Sequence, residues 1–361
     1  MPFVVDTNSM ENKQFVKINR ILSLAVLAFS SFVYLSTIEP TASFWDCGEF
    51  IAAAYKLEVG HQPGNPVFKL FARMFTLFTD STHAAAAVNC FSAMCSAFTI
   101  FFLFLSIVHF GRRIMEKSGK ALTKANAIAV WGAGVVGSLA YCFSDTFWFS
   151  AVEGEVYAMS SLLTAVVFWA ILKWEEEADT KYANRWIVLI SFLMGLSIGV
   201  HLLNLLAIPA IVFIYYYKKH ENEKMSLGKG FLILALSGVI LGVILFGIIP
   251  YVPKITALVD RIFVNILGLP YNVGAALFMA ALFVSCFVCL RIFRAKGNAL
   301  WHTITLCFTT ILIGYSVFAV VMIRANANTP MNEYQPDNAY TLVRYLSREQ
   351  YGKNPVIYGE A

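Results

Sequence analysis

The sequence predicts an all-α polytopic membrane protein, and three observations carry that prediction. Of 361 residues, 58% are hydrophobic and only 14% charged, where a soluble domain carries about 25% charged residues. Uncharged runs long enough to cross a bilayer recur along the whole chain. The Lys and Arg residues fall mostly between those runs. Backbone surrounded by lipid must satisfy its own hydrogen bonds, which makes each such run a helix. A disordered chain, a disulfide-stapled secreted module and an ordinary soluble enzyme are excluded on composition. The net charge of +5 is explained by orientation in a bilayer and is no sign of nucleic-acid binding.

The runs are Ile21–Ile38, Ala84–Phe110, Ala125–Ser144, Val156–Leu172, Trp186–Tyr217, Gly230–Tyr251, a stretch inside Ile262–Leu290, and Ala299–Ile323. A span needs about 20 residues at about 1.5 Å each. Trp186–Tyr217, 32 residues without Asp, Glu, Lys or Arg, is too long for one upright helix. It divides into two short helices meeting near His201–Asn204, with Pro209 early in the second, which makes about nine spans. With the N-terminus inside, the segments 1–20, 111–124, 173–185, 218–229 and 291–300 hold 18 of the 27 basic residues, as the positive-inside rule requires. Eight spans, with one helix across 186–217, fit almost as well by count; the density of lysines in 218–229 favours nine. Residues 1–20 are then a cytoplasmic segment and 21–323 the transmembrane domain. The polar tail 324–361 reads as the start of an extracytoplasmic region of a truncated chain. Cys286-Phe-Val-Cys289 lies inside a span without His or acidic partners and reads as buried apolar packing, not a metal site.

Between the first two spans lies a long outer loop. Its apolar stretches, 47–58 and about 67–79, are too short to cross and carry charges, so both are expected to lie along the membrane as interfacial helices. This loop contains Ser43-Phe-Trp-Asp46-Cys-Gly-Glu49 and His61-Gln-Pro-Gly-Asn-Pro66. Asp46 and Glu49 are three apart and share a helix face. Ser43-x-x-Asp46 and Asp46-x-x-Glu49 also resemble capping boxes, and a helix start would let backbone amides hold the Asp46 carboxylate. A second outer loop, 144–155, has three acids among aromatics and leads into Glu155 and Tyr157, either an aromatic belt or a pocket wall. His201 stands at the break in the fifth run. Arg324, at the exit of the last span, is either a snorkelling anchor or a partner for an interfacial phosphate. Together these residues place carboxylates, two imidazoles and a guanidinium on one face. Glycosyl transfer from a lipid-phosphate donor needs that set: a carboxylate base for the acceptor hydroxyl and cations for the leaving phosphate. The leaving group is already charged, so no resident cofactor is required and a divalent metal is optional.

At these motifs the chain resembles bacterial membrane proteins of formerly unknown function that are related to the animal transmembrane protein O-mannosyltransferases, of the GT-C class. The resemblance is to the Bacteroidetes branch and extends over essentially the whole chain. It is carried by Phe44-Trp-Asp-Cys-Gly-Glu-Phe-Ile-Ala-Ala-Ala54, Gly60-His-Gln-Pro-Gly-Asn-Pro66, Phe147-Trp-Phe-Ser-Ala-Val-Glu-Gly-Glu-Val-Tyr157, Gly195-Leu-Ser-Ile-Gly-Val-His201, Arg324-Ala-Asn-Ala-Asn and Arg348-Glu-Gln-Tyr-Gly352. The sequence departs from the His-Pro-Pro of many GT-C relatives at Gln62. The resemblance implies a GT-C-like membrane fold, Asp46 as the catalytic carboxylate of the first outer loop with Glu49 as helper or alternative, and donor-binding roles for His61, Glu155, Tyr157, His201 and Arg324. It also implies a polyprenyl-phosphate sugar donor, mannose above all, an exported protein acceptor with Ser or Thr hydroxyls, and a multi-pass place in the inner membrane with the tail periplasmic. The rival reading is a transporter or flippase, for which the break at His201 is the one favourable feature, since the acids lie in outer loops and no repeated halves are visible. A non-catalytic scaffold presenting its C-terminal region is the third reading.

Overall fold

The computed structural model describes residues 10–221, 223 and 225–352, and among these the chain is a helical bundle with one isolated bridge between Val59 and Asn332. Eight helical segments are long and apolar enough to cross a membrane: Asn12–Leu35, Ala84–Lys117, Lys124–Cys142, Val156–Glu177, Leu202–Lys219, Leu227–Leu267, Val273–Ala295 and Ala299–Asn326. In chain order the helices are α1 (Asn12–Leu35), α2 (Cys47–Lys56), α3 (Pro66–Thr76), α4 (Ala84–Lys117), α5 (Lys124–Cys142), α6 (Asp145–Ala151), α7 (Val156–Glu177), α8 (Asn184–Ile198), α9 (Ile208–Lys219), α10 (Leu227–Gly242), α11 (Ile249–Leu267), α12 (Val273–Ala295), α13 (Ala299–Tyr315), α14 (Ala319–Asn326) and α15 (Ala339–Leu346). The fifth apolar run does divide where expected. α8 ends at Ile198, and a 3₁₀ turn over Leu202–Ala207 leads into α9. At 15 residues α8 is short for a bilayer core of about 30 Å, so the ninth expected span is an apolar helix of less than membrane length.

The two short helices of the first loop form over 47–56 and 66–76. Pro66 starts α3 at a position where a missing N–H costs nothing. α2 and α3 pack on each other and on α4 through Phe50, Phe68, Ala72, Val88 and Phe91. The segment 144–155, expected as a plain loop, contains the helix α6 of about two turns, whose Phe147 and Ala151 are buried against α1 and α5 residues.

The expected outer segment after Gly230–Tyr251 is also helical. The chain continues without a break from α10 through a π-helical stretch, Val243–Ile248, into α11. At about 1.5 Å per residue its length is about 60 Å, twice a bilayer core. Pro250 and Pro253 do not end it. The wide π turn just before them absorbs the crowding that a proline ring imposes on the preceding turn. Pro253 has no N–H to offer the carbonyl of Ile249, and the Tyr315 hydroxyl donates to that carbonyl instead, at 2.9 Å. α13 crosses α8 where glycines remove the side chains between them: a Cβ on Gly195 would lie 2.2 Å from the Ile311 carbonyl oxygen, and one on Gly314 would lie 2.4 Å from the Leu196 nitrogen. Gly199, one turn on, fits against Val67 and Val317 in the same way.

Candidate functional site

Breaking the helix at Gly199–His201 leaves carbonyls without helical partners, and the first loop supplies them. The Val67 amide donates to Gly199 O at 3.0 Å, and the Asn65 side chain donates to Val200 O at 2.6 Å. The same break is tied to α7, where Ser160 and Thr164 donate to the Asn204 side chain at 2.8 and 2.6 Å. These bonds bring the His61–Asn65 turn against His201. The tail closes the arrangement from the other side. Val59 exchanges backbone hydrogen bonds with Met331 and Glu333 at 3.1 and 3.0 Å. The fully buried Tyr345 of α15 donates its hydroxyl to the carbonyls of Gly60 and His61.

Around this turn lies a cavity of about 450 Å³ whose wall includes Asp46, His61, Glu155, Tyr157, His201 and Arg348. Five of the seven residues singled out in the sequence therefore face one space. Glu49 stands directly behind it. Its carboxylate accepts from the His61 backbone amide at 2.7 Å and meets the His61 ring Nδ1 at 2.9 Å. On the other side of the ring, His61 Nε2 is 3.8 Å from an Asp46 carboxylate oxygen, so Glu49, His61 and Asp46 stand in a row. Gly60 is required here, because a Cβ on it would lie 2.1 Å from a Glu49 carboxylate oxygen.

The anchoring of Asp46 by helix-start amides is not found. Asp46 occupies the residue before α2, but its side chain caps nothing, and it remains 61% exposed at the cavity mouth. Neither expected capping box forms at α2; Glu49 has turned to His61 instead. Arg324 also departs from expectation. Its guanidinium donates to the Leu57 and Lys56 carbonyls at 2.6 and 3.1 Å, closing the C-terminus of α2 away from the cavity. The cation in the cavity wall is Arg348, whose left-handed backbone (φ 55°) follows α15. Sequence reasoning quoted Arg348 as part of a motif without giving it a role. Gln62, noted in the sequence only as a departure from a motif, is a fully buried residue of the cavity wall, and neither the oxygen nor the nitrogen of its carboxamide is paired among the described residues.

The electrostatics separate the acids. Burial pushes Glu49 up, but the hydrogen bonds from His61 and the nearby charges of His61 and Lys69 outweigh it, and the net shift is downward. The Glu49 bond raises His61 against burial, with Asp46 adding to it. Lys69, almost wholly buried in α3, is pushed down to about 8 by desolvation. Glu155 is pushed up from 4.5 to about 7 by burial first, then by the charges of Asp46 and Glu153. A carboxyl whose folded pKa is raised favours the folded state when protonated. That contribution is whole below the unfolded value of 4.5 and is lost as pH rises through about 7. Glu155→Gln should therefore lose less stability than the parent chain between pH 5 and pH 8, by up to about 3 kcal/mol. Parallel slopes for the two proteins in a thermal titration would refute the assignment.

A bundle of membrane-length helices with a polar, acid-rich cavity at one end defines a polytopic membrane protein with a site suited to proton and phosphate chemistry. Residues 46–224 match the family model described as Protein O-mannosyl-transferase TMEM260 N-terminal domain, so Asp46, Glu49, His61, Glu155, Tyr157 and His201 lie inside the match and Arg324 and Arg348 beyond it. The chain is similar in sequence to proteins of that name. It is 27% identical over 203 residues to Protein O-mannosyl-transferase TMEM260 of Mus musculus, covering 56% of this chain and 26% of the mouse protein. It is 25% identical over 150 residues to Protein O-mannosyl-transferase tmem260 of Dictyostelium discoideum, covering 40% of this chain and 16% of that protein. The chain thus spans about a quarter or less of the length of these curated relatives. No solved structure matches.

Proposed function

We propose that this chain is the membrane-embedded catalytic part of a GT-C class protein O-mannosyltransferase. In this reading it moves mannose from a polyprenyl-phosphate donor to a Ser or Thr hydroxyl of an exported protein, at the periplasmic face of an inner membrane, with the N-terminus cytoplasmic. The observation that carries the reading is the single cavity into which an exposed carboxylate, two imidazoles and one guanidinium converge, within a chain whose relatives bear the name O-mannosyl-transferase.

The proposed chemistry uses this geometry. The acceptor oxygen bonds to the sugar C1 as the C1–O bond to phosphate breaks. The electron pair leaves on the lipid phosphate, and the hydroxyl proton passes to Asp46. Glu49 and His61 position Asp46 rather than react, since both are committed to each other. His201 accepts the Leu203 amide at Nδ1, which leaves Nε2–H as the donor in the neutral ring. With Arg348 it forms the cationic, donating side of the cavity for the departing phosphate.

The test is transfer of labelled mannose from polyprenyl-phosphate mannose to a Ser/Thr peptide by membranes carrying the chain. Arg348→Gln should raise the donor KM about 10- to 100-fold, the effect of losing a charge-assisted bond, and Arg348→Lys should restore part of it. No transfer by the unmodified chain with any polyprenyl-phosphate hexose would overturn the reading.

A further inference from the structure

A cavity larger than that of the candidate site lies at the other end of the bundle. α4 and α7 both start beside the candidate site and run away from it, and about 30 Å along them lies a groove of about 610 Å³. α4 forms its back wall, with α1 and α7 packed on either side of α4.

The groove is graded along its length. Phe101 and Leu105 of α4 and Trp169 and Leu172 of α7 make an apolar floor. Towards the helix ends the wall becomes charged, with Arg20, Arg112, Arg113, Lys173 and Lys218 against Glu116, Glu175 and Glu176. The acids are engaged locally: Glu175 with His109 and Arg113 at 2.9 and 2.8 Å, Glu176 with His109 and Lys173 at 3.0 and 2.6 Å, and Glu116 with Arg112 at 2.8 Å. Lys218 is engaged as well, with Asp179 and Glu221 at 3.1 and 3.2 Å, so the positive charge still open to a ligand is that of Arg20. Arg20 pairs with no carboxylate among the described residues. From Phe101 to Arg113 the helix rises about 18 Å, the reach of a headgroup plus much of an acyl chain.

We infer that this groove binds one anionic phospholipid, its phosphate among Arg20, Lys173 and Arg113 and an acyl chain on the Phe101–Leu105 floor. A soluble anion would use the charges but not the apolar floor. A zwitterionic lipid would use the floor but bring no net charge to the unpaired Arg20. The inference stands on its own geometry and does not depend on the transferase reading.

The test is native mass spectrometry of the full chain in detergent with equal amounts of phosphatidylglycerol and phosphatidylethanolamine of the same acyl chains. Phosphatidylglycerol should be retained about tenfold better. Arg20→Gln should remove most of that preference, and Arg20→Lys should keep it. Leu105→Trp, which fills the floor and leaves every charge in place, should lower retention of both lipids at least fivefold. Equal retention of the two lipids by the unmodified chain would overturn the inference, as would displacement of phosphatidylglycerol by millimolar inorganic phosphate. Unchanged retention in both Arg20→Gln and Leu105→Trp would do the same.

Discussion

Asp46→Asn is expected to lower the transfer rate by about 10²- to 10⁴-fold, the range for removing a general base, while leaving the protein as stable as before. Both halves of that expectation follow from the site. The carboxylate makes no capping hydrogen bond to α2 and is largely exposed, so the fold does not depend on its charge. Asn keeps its shape and serves equally well in front of a helix. What disappears is the group that can take a proton from an acceptor hydroxyl beside His61. Donor KM should change little, because the phosphate side of the cavity is untouched. The measurement is a matched pair of unfolding curves and single-turnover transfer rates. A variant that folds normally and transfers mannose at near the parent rate would move the proton-accepting role to Glu155, or defeat the transferase reading.

The second large effect is structural. Gly195→Leu should prevent accumulation of folded protein, and Gly314→Leu should do the same. At both positions a Cβ would fall within 2.4 Å of backbone atoms of the opposing helix, and backbone cannot swing aside as a side chain can. Overpacking a well-filled core costs about 1–3 kcal/mol; forcing two helices apart along a glycine contact should exceed that, since it also opens the packing of Met194, Ile198 and Leu312. Gly230→Leu, at a helix position where a Cβ meets nothing within 4 Å, is the control and should fold. Detergent-solubilised yield and size-exclusion profile of the three variants give the answer. A monodisperse Gly195→Leu protein at parent yield would show that the α8–α13 crossing differs from the one described.

The sequence by itself determined the class of protein and most of its helices. A run of apolar residues longer than a bilayer core has one viable backbone conformation, so composition settles structure there without help from packing. It also determined the division near His201, because 32 uncharged residues exceed one span and fall short of two full ones. The short helices after Asp46 were legible for the same reason in reverse: too brief to cross and charged on one side. Asp46, His61, Glu155, Tyr157 and His201 were legible as a group because charged and polar residues at the ends of apolar runs are costly unless something uses them. Only the tertiary structure decided how their neighbours act. Glu49 at a helix start is equally able to cap or to hold an imidazole; the approach of His61, clamped by Tyr345 from nearly 300 residues away, selected the second. Arg324 stands at the exit of the last span and Arg348 further along the tail, and nothing local says which of them faces the cavity. Docking of that tail on Val59 puts one guanidinium against the carbonyls of Leu57 and Lys56 and the other in the cavity wall. Local propensity and periodicity act over a turn or two of chain, whereas these assignments depend on which carbonyl, ring or void lies opposite a side chain once distant segments have packed.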